Sequence, residues 1–144
     1  MLKCAVRLVL DTNTVVSGLL WLGQPGKLID AAQAQAVSLL TSAPLLVELN
    51  GVLMRRKFAR QLKVRGVQVA QLFEDYVALA TLVTPAGIAR VIAKDPSDDA
   101  VLACALGAKA DLIVSGDADL LDLKSYRRIP IVGVSEALAR IARR

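Results

Sequence analysis

Apolar residues fall at two spacings along this chain. Ala5 to Leu10 (AVRLVL), Val37 to Leu40, Leu112 to Val114 and Ile129 to Val132 are short runs, apolar at nearly every position, as buried parallel strands are. Between them the spacing turns helical. Leu45, Leu49, Val52 and Leu53 mark a helix from Pro44 to about Arg55, with Thr41-Ser42 as its N-cap and Pro44 in its first turn. Further helices are expected from near Thr14, over Lys27 to Ala36, Gln68 to Ala80 and Ala100 to Leu106, and from a Ser135 cap to about Arg143. Gly23-Gln24-Pro25-Gly26 reads as a break, and Arg56 to Arg65 as basic and aperiodic. Leu82-Val83-Thr84 and Arg90-Val91-Ile92 read as short extended pieces, and Pro130 assigns the last strand to an edge or an end. The alternation predicts an α/β fold in three layers, a central and mostly parallel sheet flanked by helices. With no repeat and no linker, residues 1–144 are expected to form one domain.

The acids are placed unevenly on this frame. Seven of the thirteen acidic residues lie between Asp95 and Leu123: Asp95, Asp98, Asp99, Asp111, Asp117, Asp119 and Asp122. Asp11 closes the first strand, Asp99 opens a helix, and Asp117 follows another strand in a Ser115-Gly116-Asp117 turn. Open α/β sheets carry their chemistry at such strand ends and helix starts. Glu48 sits one turn into the helix from Pro44 and can face the same edge. Four carboxylates gathered there repel unless they are protonated or hold a cation. Carboxylate oxygen suits Mg2+ or Mn2+, and such a site hydrolyses phosphate esters.

Charge and composition narrow the choice. The chain carries no histidine, which removes Ser-His-Asp and Cys-His mechanisms and histidine-rich metal sites. Its net charge is +5, with bases at Arg55, Arg56, Lys57 and Arg60, at Arg127-Arg128, and at Arg140, Arg143 and Arg144. Such patches suit a phosphate backbone. The stretch Arg55, Arg56, Lys57 and Arg60, which follows the Glu48 helix, is the first choice for a rim along such a backbone, and Arg127-Arg128 the second. Cys4 and Cys104 lie in apolar contexts and read as small core residues. No apolar run approaches a membrane span, and the start MLKCAVRLVLD is unlike a signal peptide, so a cytoplasmic protein with no membrane partner is expected. Trp21 and Leu22 beside a surface loop hint at a contact face.

VLDTNTVVSGLL, the helical Glu48, DDAVLACA and DLIVSGDADLL together resemble a PIN domain over nearly the whole chain, above all the VapC-like toxins of toxin–antitoxin pairs. The resemblance implies a metal-dependent endoribonuclease with Mg2+ or Mn2+ held by Asp11, Glu48, Asp99 and Asp117 as catalytic ligands. Asp119 matches an extra acid just after the fourth ligand. Asn13 and Ser115 match polar positions beside the acids. Asp98 then caps the helix or supports the ligands from behind. The implied partners are an RNA substrate, a cognate antitoxin protein and a second copy in a homodimer. LMRRKF, Leu53 to Phe58, resembles the segment after the Glu helix in one subgroup, which often has Pro where Arg56 stands. Other families fit less well. Haloacid-dehalogenase-type phosphatases need an Asp where Asn13 stands, and Asp11 to Ser17 lacks the glycines of a Rossmann turn. The alternative is a PIN fold that binds nucleic acid or assembles without catalysis.

Overall fold

The computed structural model describes residues 5–21, 23–88 and 96–143. Cys4, Leu22, the Arg90-Val91-Ile92 piece, Asp95 and Arg144 lie outside them. The chain runs β1 (Val6–Leu10), α1 (Thr12–Leu20), α2 (Gln24–Gln33), β2 (Val37–Thr41), α3 (Ala43–Leu53), a 3-10 turn (Arg56–Phe58), α4 (Ala59–Arg65) and α5 (Val69–Leu79). It continues β3 (Thr81–Leu82), α6 (Pro96–Ala108), β4 (Leu112–Val114), α7 (Ala118–Leu123), β5 (Ser125–Tyr126), β6 (Ile129–Val132) and α8 (Val134–Ala142). The sheet order is β3-β2-β1-β4-β6-β5. Every neighbouring pair is parallel except the β5–β6 hairpin.

Alternation along the central strands divides the interior. Leu8 and Leu10 of β1 point into one apolar cluster with α1, α2, α5, α8 and the end of α3. Val9 points into another, with α6 and Leu120 of α7. The sheet separates the two clusters, which gives the three layers expected. Successive strand side chains face opposite ways, so a strand buried on both sides is apolar throughout. This is why AVRLVL reads as a central strand. Helix α3 contributes to both clusters, Leu45 to one and Leu49, Val52 and Leu53 to the other. Cys104 is fully buried beside α6's other apolar residues, as a small core side chain.

The boundaries differ from the expected ones for local reasons. Pro25 does not break the chain but occupies the first turn of α2, where a missing N–H costs nothing. The basic stretch after α3 is helical, as the 3-10 turn and α4. α6 starts at Pro96, ahead of Ala100. α7 and β5 were not foreseen. Pro130 sits ahead of the β4–β6 pairing, which begins at Ile131, so its lack of an N–H breaks no bond to β4. The hairpin joining β5 to β6 has a two-residue loop, Arg127-Arg128, with φ of 49° and 70°. Two positive φ angles mark the type I′ turn, and side chains there cost about 1 kcal/mol or more each. Among the described residues no helix is long and apolar enough to cross a membrane.

The segment before the undescribed 89–95 stretch lies close against α6, where Ala86 N donates to Ala103 O at 3.0 Å. Gly107 faces it. A Cβ at Gly107 would stand 2.8 Å from Ala86 N and closer still to Thr84 O, both backbone atoms that cannot swing aside. Replacing a helical glycine with alanine ordinarily stabilises by about 1 kcal/mol. Here overpacking wins, and Gly107→Ala is expected to destabilise by about 1–3 kcal/mol. Urea denaturation of the variant is the check; a midpoint at or above that of the parent would show that the 83–88 segment yields.

Candidate metal centre

From β1 the chain passes to β2 on one side, and it returns through β4 on the other. The carboxyl ends of β1 and β4 therefore flank the point where strand order reverses, the usual crevice of an open α/β sheet. Asp11 N donates to Val114 O at 3.1 Å, carrying the β1–β4 ladder one residue past the strand. Asp11 is also the N-cap of α1, its Oδ1 accepting from Thr14 N at 2.9 Å. Its Oδ2 accepts from the Ser115 hydroxyl. The same Ser115 oxygen accepts from Asp117 N at 2.9 Å. Asp117 in turn caps α7, its Oδ1 accepting from Asp119 N at 2.8 Å and Leu120 N at 3.3 Å. Two strand ends and two helix starts are thus tied through one serine.

Around this knot, Asp11, Asn13, Glu48, Asp98 and Asp117 line one small cleft with Thr12, Ser97 and Val101. Its volume of about 40 Å³ holds an ion or a water or two, so any polymer must lie across its mouth. One carboxylate oxygen from each of Asp98, Asp117 and Asp119 lies within 4.8 Å of the others. Among the described residues that line the cleft none is basic. A dense set of carboxylate oxygens fits a hard divalent ion such as Mg2+ or Mn2+. On this chain Asp98, Asp117 and Asp119 would hold it, with Asp11 and Glu48 on the facing walls. A second, open groove of about 540 Å³ shares Asn13 and Asp117 with the cleft and runs over Ser17, Gly116 and Gly133. It has room for a nucleotide beside the acids.

The residues expected from sequence are mostly brought together: Asp11, Asn13, Glu48 and Asp117 line the cleft, Asp119 joins the three-acid group, and Ser115 bonds Asp11. Asp98 and Asp99 sit on the first turn of α6. Successive helical residues point about 100° apart, so one of the two faces the cleft. Asp98 does; Asp99 is half-buried and does not line it. The resemblance assigns the ligand position to Asp99 and the supporting one to Asp98. Thr12, buried at the cleft, is a lining residue that sequence reasoning missed. It carries no signal of its own beyond its place after Asp11.

The basic residues divide. Arg55, Arg56, Lys57 and Arg60 are all exposed, and Arg55 follows Glu48 by two helical turns, about 10 Å of rise. Lys57 Nζ stands 5.0 Å from the Phe58 ring, which meets Trp21 edge-on at 5.6 Å. Arg127 and Arg128 lie at the start of β6, the opposite edge of the sheet from the acids. Burial pushes the Cys104 thiol up to about 11 and the Tyr76 phenol higher still, so neither is ionised at neutral pH.

No curated protein matches the chain. A family model described as a PIN domain matches residues 7–119, which takes in every acid of the cleft. The chain belongs to the PIN domain family, whose members are commonly nucleases that hydrolyse phosphodiesters with divalent metal ions.

Proposed function

We propose that this protein is an endoribonuclease dependent on Mg2+ or Mn2+, and the toxin of a toxin–antitoxin pair. The observation that carries the nuclease reading is the group of Asp98, Asp117 and Asp119 oxygens within 4.8 Å of one another, at a cleft whose described lining residues include no base. RNA as substrate, the antitoxin partner, the homodimer and a cytoplasmic setting rest on the resemblance to VapC-like toxins. Trp21, 40% exposed, favours a contact between copies. A cation bound among the acids would supply the positive charge that phosphodiester hydrolysis needs. The chain's own groups position it: Ser115 holds Asp11, the backbone of α7 holds Asp117, and Glu48 reaches in from α3. The mouth admits the scissile phosphate only, so the backbone on either side must rest on the rim. Arg55, Arg56, Lys57 and Arg60 are the proposed rim on the Glu48 side.

Cleavage of single-stranded RNA is expected with Mg2+ or Mn2+ and not in excess EDTA. Full activity under EDTA removes the metal reading, and metal-dependent RNA binding without any cleavage favours the silent PIN module. Asp11→Asn is expected to abolish cleavage.

Asp98 and Asp99 are both proposed ligand positions, and paired variants separate them. Asp98→Asn should lower kcat/KM by about 100-fold or more, equivalent to about 2.7 kcal/mol of transition-state stabilisation. Asp99→Asn, which does not face the cleft, should cost less than about 10-fold. The reverse order would assign the metal to Asp99 and rotate the first turn of α6 in the active state.

For the rim, three lost single-strand phosphate contacts reduce the slope of log affinity against log salt by roughly 2. Binding of RNA by Asp11→Asn protein, with and without Arg55→Ala, Arg56→Ala and Lys57→Ala together, measures this. An unchanged slope would place the rim elsewhere.

A further inference from the structure

The hairpin tip Arg127-Arg128 is at odds with its own turn. Both residues are left-handed, where Asn-Gly is the usual pair because a Cβ crowds the backbone. Strain of this kind persists where a side chain is needed for something other than folding. Here the side chains are two exposed guanidinium groups, one of them 5.7 Å from the half-buried Tyr126 ring. Beside the tip lies a second feature. A cavity of about 430 Å³ is lined by Pro130 of β6, by Arg140 and Arg143 of α8, and by Val6, Asp111 and Leu112. Two acids are near and both are engaged: Asp111 Oδ2 accepts from Arg7 N at 2.8 Å, and Glu136 pairs with Arg140 at 3.3 Å. No ion pair joins Arg127, Arg128 or Arg143 to a described carboxylate. Arginines in excess of their acids, beside an open cavity and a ring, fit a phosphate backbone with a base to stack.

We propose that this amino-terminal edge of the sheet is a second RNA-binding surface, which holds the same strand whose scissile phosphate lies over the acid cleft. The proposal rests on the ribonuclease reading for the identity of the polyanion. β6 sets the separation. From Val132, level with the acids, to Ile129 is three strand steps, about 10 Å, and the turn brings the tip to roughly 15–20 Å. Exposed Lys124, at the end of α7, lies between the two. At about 3.4 Å per stacked nucleotide the span is about four to six nucleotides. Short RNA therefore reaches only the cleft, and long RNA reaches both.

The turn supplies its own test, because the replacement that removes the charge also relieves the strain. Arg127→Asn with Arg128→Gly is expected to raise the melting temperature. In an Asp11→Asn background, its affinity for single-stranded RNA of about 30 nucleotides should fall about 10-fold. The salt slope should fall by about 1.4, from two lost contacts at about 0.7 each. Affinity for RNA of about three nucleotides, too short to bridge the span, should not change. Arg143→Gln, on α8, should show the same length dependence more weakly. Equal losses on both lengths, or none on either, would overturn the proposal. So would tighter, Arg127- and Arg128-dependent binding to anionic phospholipid vesicles than to long RNA, which would make the edge a membrane face. Failure of the nuclease reading shows separately: no cleavage by the parent with Mg2+, while length-dependent binding and its loss in the variant remain, would leave this surface standing.

Discussion

The hydroxyl of Ser115 is the joint on which the cleft depends. It donates to Asp11 and accepts from the backbone of Asp117, so the carboxylate after β1 and the turn after β4 are fixed by one side chain. Ser115 is itself fully buried and held to β6 by its N–H, which donates to Val132 O at 3.0 Å. A buried carboxylate left without such a donor would cost about 1–3 kcal/mol or more. The same bonds that satisfy Asp11 therefore aim Asp117. The sheet register decides whether this works: Leu10 opposes Val114, and a slip of one residue would turn Ser115 away.

Around that joint, the fold keeps opposite charges at opposite ends. The parallel sheet collects helix starts and strand ends along one edge, and the acids sit there. The arginines of the hairpin and α8 occupy the other edge. The basic stretch follows the far end of α3, about two helical turns beyond Glu48, with Phe58 packed edge-on against Trp21. Such an arrangement lets a net positive protein carry a concentrated negative site without neutralising it.

How much of this the sequence carried depends on local contrast. β1 and β4 are legible because strands buried on both faces are apolar throughout, and Asp11 and Asp117 are legible because they stop those runs. Glu48 lies on a helix whose apolar stripe is clear. α4 has no buried residue, so no stripe marks it, and the stretch reads only as basic and aperiodic. α7 has six residues, too short for a period to show. β5 has two, and its pairing depends on a turn that the arginine pair disguises. Asp98 and Asp99 differ by one step of helix rotation. Which of them faces the cleft follows from how α6 lies on β1, β2 and β4, and adjacent identical residues hold no trace of that.

The Asp11–Ser115 bond joins residues 104 positions apart. Contacts so distant in sequence form late, since a long loop must close before they yield anything. On a ribosome adding about 5–20 residues each second, Ser115 emerges roughly 5–20 s after Asp11. Until then Asp11 has neither its donor nor the β4 backbone beside it, and Glu48 waits on a helix whose second apolar partner layer, α6, has just been made. A growing chain thus passes most of its synthesis with its acids scattered and its cleft unassembled.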